Sequence, residues 1–316
     1  MIAILFLPCF LPSDHRLEKR REKMKKVISI LSLIFLTSFS GETTHVNKSF
    51  NLIPMSAAGK TVAVDSGTGL SEDDFNQTIK HFLAINRPIA AQKGFSLSVK
   101  NKWTDETVNS DTYVSGTKWI VNAYGGLGRS DGMTTDAYTV VLCHEFNHHV
   151  GGAPKYPAPE NWASDEGESD YGAVMKCFRR MAAAGALARQ DFNEVPQIIS
   201  EKCKVQLTNA WDQSVCERSA IASLTLAEIL RKLGDEPDAV SPNVQDSTRV
   251  SRTYDGHPNA QCRFDTMMAG SACGVPYNVD FSETDSRVGA CNNGFGARPL
   301  CWYHPPAKLM MFTASI

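Results

Sequence analysis

The segment Cys143–His149 places two histidines and a glutamate at a spacing that suits metal chemistry. His144 and His148 are four residues apart, so on a helix both imidazoles project from one face towards one point. Glu145 follows the first histidine, where its carboxylate reaches a water on the metal without becoming a ligand. The apolar residues 138–143 before the motif favour an interior position over a solvated helix face. The pattern predicts one zinc ion per chain, with Glu145 as the catalytic base.

A third protein ligand is expected downstream, because a catalytic zinc site takes three protein ligands and keeps a fourth position open. The candidates lie in the sequence Glu166-Gly-Glu-Ser-Asp170. Glu166 and Asp170 share a helix face, so one can bind the metal while the other accepts a hydrogen bond from a ligand histidine. Glu168 is the rival ligand, but it points away from that face. The same acidic residues would also suit a helix N-terminus without any metal.

Together, HEFNHH and EGESD resemble the gluzincin metallopeptidases, whose pattern is HExxH followed by ExxxD on a second helix. The resemblance implies that Glu166 is the third zinc ligand and that Asp170 supports the site from behind. The later segment HPNAQCR is similar to an element of HtpX-type and CAAX prenyl-protease-type enzymes. It implies that His257 and Arg263 stabilise the oxyanion of the tetrahedral intermediate or order the carboxylate ligand. The resemblance covers roughly residues 71–263 and implies a soluble zinc-dependent endopeptidase that hydrolyses proteins or peptides.

The cysteines indicate disulfide bonds. With Cys9 set aside, the count is even, which is typical of an exported, disulfide-bonded chain. Cys143 and Cys177 are not part of the gluzincin pattern, and we expect them to tie the two zinc helices together. Zinc-ribbon spacing does not occur. Connectivity stays open, but neighbours in the sequence suggest the pairs Cys203–Cys216, Cys262–Cys273 and Cys291–Cys301.

The N-terminus has the pattern of a secretory signal peptide. Lys25 and Lys26 precede the apolar run 27–39, and small residues follow at the predicted cleavage site near Ser40. Because such a signal begins naturally at Met24, residues 1–23 are interpreted as an upstream extension; the alternative is an uncleaved anchor. We therefore expect an exported protein, periplasmic or secreted, without stable membrane insertion after cleavage.

Charge excludes one class of partner. The formal net charge is -2, and the body of the chain has no basic stripe. A protein that binds nucleic acid needs such a stripe to follow the phosphates. The expected partner is a protein or peptide substrate.

The surrounding elements predict an α+β fold, with a small antiparallel sheet packed on the zinc-binding helices in a zincin-like arrangement. Ser71 caps a first helix that Pro88 ends or kinks. Alternating runs at 95–103, 107–114 and 118–124 form the sheet, and Lys118–Tyr124 is the candidate edge for pairing with an extended substrate. The zinc helix begins at Thr134 or Thr135, and further helices cover roughly residues 170–187 and 219–233.

The predicted domain division follows these elements. Residues 1–40 are the extension and signal, 41–70 a loosely ordered lead-in, and 71–235 the metallopeptidase core. A loop-rich, disulfide-bonded region at 236–316 completes the active site. Three alternatives stay open: a non-catalytic zinc-binding envelope protein, a metal-dependent hydrolase of a non-peptide envelope substrate, and a latent protease inhibited by its own N-terminal segment or cysteine-rich tail. Glu145 argues against the first, since a structural zinc site has no need of it.

Overall fold

The helix with the two histidines lies at the centre of a mixed α/β structure. The computed structural model describes residues 48–54, 67–189 and 194–306. The predicted upstream extension and signal peptide lie outside the described residues. Within these ranges, no helix is both long enough and apolar enough to cross a membrane.

Helices contribute more of the described residues than strands do. They are α1 (Glu72–Gln92), α2 (Gly125–Gly128), α3 (Thr135–Val150), α4 (Glu166–Gly172), α5 (Arg179–Ala183), α6 (Gln197–Gln206), α7 (Ala210–Leu233) and α8 (Ala260–Ala272). A π-helix, Ala173–Phe178, joins α4 to α5. The strands are β1 (Phe50–Asn51), β2 (Ser96–Lys102), β3 (Ser110–Ser115) and β4 (Lys118–Tyr124).

The four strands form a mixed sheet in the order β1-β3-β4-β2. β3 pairs with β4 and β1 pairs with β3 in antiparallel fashion, but β2 and β4 are parallel. The prediction of an antiparallel sheet is therefore wrong for one pair. The reason is that β4 carries the buried run Trp119–Val121 and enters the sheet between β2 and β3. A continuous apolar run of this kind is typical of a central strand.

Two further expectations change with this topology. Because β4 has a neighbour on each side, the prediction that Lys118–Tyr124 is an open edge for substrate is wrong. Part of the lead-in 41–70 is also ordered: β1 forms the edge strand next to β3, and the Leu52 amide donates to the Ser110 carbonyl oxygen at 2.8 Å.

The helix start signals are confirmed. Ser71 Oγ accepts from the Asp74 amide at 3.1 Å, and Thr134 Oγ1 accepts from the Ala137 amide at 3.1 Å. Pro88 does not end α1, which continues to Gln92 because the turn beyond the proline buries Ala90 against the core. Tertiary packing here outweighs the hydrogen bond that proline cannot make.

The helix that carries Glu166 starts earlier than predicted. α4 begins at Glu166 after the cap residue Asp165, whose carboxylate accepts from the Glu168 amide at 3.0 Å. α7 begins at Ala210 rather than near Ser219, and α8 lies in the region predicted to be loop-rich. The predicted helix limits left out these turns because the turns are stabilised by packing against distant parts of the chain, which a local sequence pattern does not show.

The four disulfides of the described residues are Cys143–Cys177, Cys203–Cys216, Cys262–Cys301 and Cys273–Cys291. The first two were predicted; the pairs Cys262–Cys273 and Cys291–Cys301 are wrong. Cys262 lies in the first turn of α8 and Cys273 just beyond its end. Eleven residues of helix separate two positions by roughly 16 Å, too far for a disulfide. The four disulfides indicate an oxidising, extracellular compartment.

Candidate metal centre

Helices α3 and α4 bring three potential ligands together. His144 and His148 project from α3 towards Glu166 in the first turn of α4. One ligand atom from each residue lies within 4.8 Å of the other two, and all three residues are buried. The sequence predicted these three residues as the metal ligands, and the fold places them at one point.

The hydrogen bonds of the histidines leave the inner nitrogens free to bind a cation. His148 Nδ1 donates to the Ser164 carbonyl oxygen at 2.8 Å, and Ser169 Oγ lies 2.9 Å from the same nitrogen. A carbonyl oxygen only accepts, so Nδ1 holds the proton and Nε2 keeps its lone pair. His144 Nδ1 likewise faces Asp170 Oδ1 at 2.8 Å, which leaves its Nε2 pointing inwards.

Several buried polar atoms converge on the same space without a hydrogen-bond partner among the described residues. They are His144 Nε2, His148 Nε2 and Glu166 Oε2. The first and the last are 3.2 Å apart, but their geometry is not that of a hydrogen bond. Buried polar groups are ordinarily paired. A metal ion between these atoms satisfies all of them, so the residues fit a divalent cation.

Charge in the site also favours a cation. Burial opposes a charged imidazole at His144, but Asp170 and Glu166 outweigh this effect and raise the pKa of His144 to about 9. Burial likewise opposes ionisation of Glu166, yet His257, His148 and His144 hold the pKa of that carboxyl below its usual range. Two imidazoles and a carboxylate suit zinc and other first-row divalent metals.

Asp170 is itself held in place by Arg263. The guanidinium donates from Nε to Asp170 Oδ2 at 2.7 Å and from Nη2 to Oδ1 at 2.8 Å. Burial opposes the charge on Asp170, but Arg263 and His144 lower the pKa of its carboxyl. Arg263 thus contacts the carboxylate behind His144, and its third donor, Nη1, binds the Leu52 carbonyl oxygen at 2.7 Å.

Glu145 lies beside the ligands and is fully buried. Burial raises the pKa of Glu145 well above its ordinary value; His144 opposes the rise, and Asp111 and Glu166 add to it. Among the described residues neither of its carboxylate oxygens has a hydrogen-bond partner. The Ser110 hydroxyl, whose donation would favour the ionised form, donates instead to the Asn122 carbonyl oxygen at 3.1 Å. A nearby divalent cation favours the carboxylate form of such a group.

Two further side chains surround Glu166. His257 Nε2 lies 3.3 Å from Glu166 Oε2 and 2.6 Å from the Asn51 carbonyl oxygen. The Tyr156 hydroxyl donates to Glu166 Oε1 at 3.0 Å. The position of His257 follows the sequence expectation of a residue near the ligands. Tyr156 thus contacts the carboxylate of the candidate ligand Glu166.

His149 has a different role from its neighbour His148. Its ring stacks between Trp119 and Trp162, with centroid distances of 4.7 and 5.1 Å. Its Nε2 lies 2.7 Å from Thr112 Oγ1. His149 is therefore buried in the packing of α3 against the sheet.

The C-terminal region fixes the start of α4. Arg298 forms a bidentate ion pair with Glu168, with Nη2 at 2.7 Å from Oε1, and both residues are buried. A Cβ atom on Gly167 would lie 2.2 Å from the Trp302 ring. Glu168 is thus committed to Arg298 and is not a metal ligand in this arrangement.

Sequence reasoning missed the Ser164 carbonyl oxygen and the Phe50 ring, which stacks on His148 at a centroid distance of 5.3 Å. A backbone carbonyl has no side-chain signature, and Phe50 is far from His148 in the sequence.

Comparisons with models of known families, with curated proteins and with solved structures find no match to this chain. Membership of the gluzincin group therefore stays a prediction.

Proposed function

We propose that this protein is a zinc-dependent endopeptidase of the gluzincin type, with His144, His148 and Glu166 as metal ligands. The observation that carries the proposal is Glu145, a buried carboxylate beside three converging ligand atoms and without a hydrogen-bond partner among the described residues. A structural metal site has no need of such a group, whereas hydrolysis needs a base next to the metal.

When bound, zinc polarises the scissile carbonyl and lowers the pKa of the attacking water. Glu145 accepts the proton from that water and then donates it to the leaving amine. Asp170 holds His144 in the tautomer that binds metal, and Arg263 holds Asp170. His257 Nε2 lies 3.3 Å from Glu166 Oε2 and therefore next to the proposed metal position. From there it can donate a hydrogen bond to the carbonyl oxygen of a bound substrate.

The compartment agrees with this chemistry. Four disulfides fit an extracellular setting, and we infer that the chain is exported to the periplasm or the medium. Its substrates there are proteins or peptides.

A mixed-peptide digest analysed by mass spectrometry tests the proposal. We expect chelator-sensitive hydrolysis by the wild type, and a loss of roughly 100-fold or more in Glu145→Gln, because the base is gone. The variant should keep its zinc, since Glu145 is not a ligand. Glu72→Gln, on an exposed first-turn carboxylate of α1, is the matched control and should behave as the wild type.

One observation favours a second function. The metal ligands are closed off from solvent, with 0% exposure for the two histidines and 1% for Glu166. A buried site of this kind also suits a metal held for stability alone. A purely structural metal predicts zinc in both the wild type and Glu145→Gln and no hydrolysis by either protein. Removal of the zinc should then lower the unfolding temperature.

A further inference from the structure

A peptidase site must admit a peptide, yet Glu145 and its neighbours are sealed. Glu145 is 0% exposed, and Phe50, Leu52 and Ile53 of the segment 48–54 are at most 3% exposed. The segment 48–54 supplies part of this cover, and it comes from the far N-terminal side of the described chain. Its contacts with the metal centre are those that a bound peptide could make.

The segment touches the site through three consecutive residues. The Phe50 ring stacks on the ligand His148 at 5.3 Å. The Asn51 carbonyl oxygen accepts from His257 Nε2 at 2.6 Å, and the Leu52 carbonyl oxygen accepts from Arg263 Nη1 at 2.7 Å. Two of the three contacts use backbone carbonyls, which every peptide has.

The same residues pair with the sheet. Phe50 lies opposite Thr112 and Asn51 opposite Asp111 in the antiparallel β1–β3 ladder. The ladder continues at Leu52, whose amide donates to the Ser110 carbonyl oxygen at 2.8 Å. Segment 48–54 therefore adds a short extended stretch, Phe50–Asn51, to a sheet edge near the candidate metal ligands. Addition of a peptide to a sheet edge is a common mode of peptide recognition.

We propose that segment 48–54 is an internal pseudosubstrate: it occupies the cleft that an extended peptide substrate fills once the segment leaves β3. The inference rests on the proposed function. It names the substrate class as extended polypeptides that pair with β3, give backbone carbonyls to His257 and Arg263, and place an aromatic side chain against His148.

The first test weakens the segment in the full chain. Phe50→Ala removes the stack on His148, while Phe295→Ala, which removes a partly buried aromatic elsewhere, is the matched control. Both are loaded with zinc, and the rate of zinc loss to a chromophoric chelator is measured. We expect loss about tenfold faster in Phe50→Ala, with a similar rise in peptide hydrolysis, because the open population increases. The control should match the wild type.

The second test fastens the segment. Asn51 and Asp111 face each other at a non-hydrogen-bonded pair, where a cross-strand disulfide fits best. In the oxidised Asn51→Cys/Asp111→Cys protein, both zinc loss and peptide cleavage should be slower than in the Asn51→Ser/Asp111→Ser control. A synthetic peptide of residues 48–54 should inhibit Phe50→Ala, and a scrambled peptide should not.

The outcomes separate the two proposals. Equal zinc loss in the wild type, the loosened variant and the fastened variant overturns the pseudosubstrate, even if all three cleave peptides. If zinc loss follows the segment but no form cleaves any peptide, occupation of the cleft stands and the peptidase assignment fails. Should Phe50→Ala not fold, the fastened pair and its serine control decide the question alone.

Discussion

At the scale of single residues, the metal centre depends on a chain of hydrogen bonds from His144 to Asp170 and from Asp170 to Arg263, called the relay below. Asp170 orients the imidazole, and Arg263 orients Asp170 with two hydrogen bonds. Both residues are buried, so their geometry is fixed by packing as well as by charge. His148 has a simpler arrangement, because its outer nitrogen meets a backbone carbonyl.

Asp170→Asn tests this relay. The amide keeps the shape of the carboxylate but loses its charge, so His144 becomes a weaker base and Arg263 loses its partner. We expect zinc affinity to fall roughly 10- to 100-fold. Competition with a chromophoric chelator measures it, with the exposed Asp73→Asn as control. Unchanged affinity in Asp170→Asn would show that the relay does not act on the metal.

The two candidate histidine ligands were predictable because their relative positions are set by a short stretch of sequence. Two histidines four residues apart share a helix face, and this follows from helix geometry alone. Phe50 and the Ser164 carbonyl oxygen were not predictable, since their contacts with His148 depend on how distant parts of the chain fold together. Arg263 was placed near the site only by resemblance, which did not specify Asp170 as its partner.

At the scale of elements, the first turn of α4 is held by the C-terminal region. Arg298 neutralises Glu168 in the interior, and the Trp302 ring covers Gly167 so closely that no side chain fits there. Glu166 lies in the same turn, so this packing also positions the candidate metal ligand.

Arg298→Met should therefore destabilise the fold. The substitution leaves Glu168 buried without its partner, and breaking a buried pair in this way costs about 3–5 kcal/mol. Urea unfolding measures the change. Arg287→Met is the matched control, because Arg287 is exposed and pairs with Asp285 near the surface. Its loss of stability should be much smaller than that of Arg298→Met, since surface ion pairs contribute little. Equal losses in the two variants would contradict a special role for the buried pair.

The disulfide Cys143–Cys177 joins α3 to the π-helix that follows α4. Replacing both cysteines with alanine should lower the free energy of unfolding by about 2–4 kcal/mol. Zinc affinity should also fall, because Cys143 precedes the ligand His144. The matched control is the double alanine variant of Cys203–Cys216, which joins α6 to α7. It should lose stability but keep its zinc affinity, and a loss of affinity in both would attribute the effect to stability alone.

Elements with local signals were predictable, and those defined by packing were not. The caps Ser71 and Thr134 gave correct helix starts. The parallel pairing of β2 with β4 depends on where β4 enters the sheet, which no short segment encodes. α8 was missed because its sequence, rich in small and polar residues, becomes helical while almost wholly buried against α7 and α4.

At the scale of the whole molecule, the metal centre joins parts of the chain that are far apart in sequence. Helices α3 and α4 supply the three candidate ligands. His257, which precedes α8, lies next to Glu166 and binds the Asn51 carbonyl oxygen of segment 48–54. Arg263 of α8 binds the Leu52 carbonyl oxygen of the same segment. A mixed α/β fold with one small sheet was predictable from the order of elements. The contribution of the N-terminal segment was not, because its few residues have no periodic pattern.

The central claim is that one metal ion is held by His144, His148 and Glu166. Equilibrium dialysis of the purified protein against zinc, followed by elemental analysis, tests it most directly, with Glu166→Gln measured alongside. We predict one zinc per chain in the wild type, and little or none in the variant at the same free zinc concentration, because the carboxylate ligand is gone. No zinc in the wild type, or equal zinc in both proteins, would contradict this account of the site.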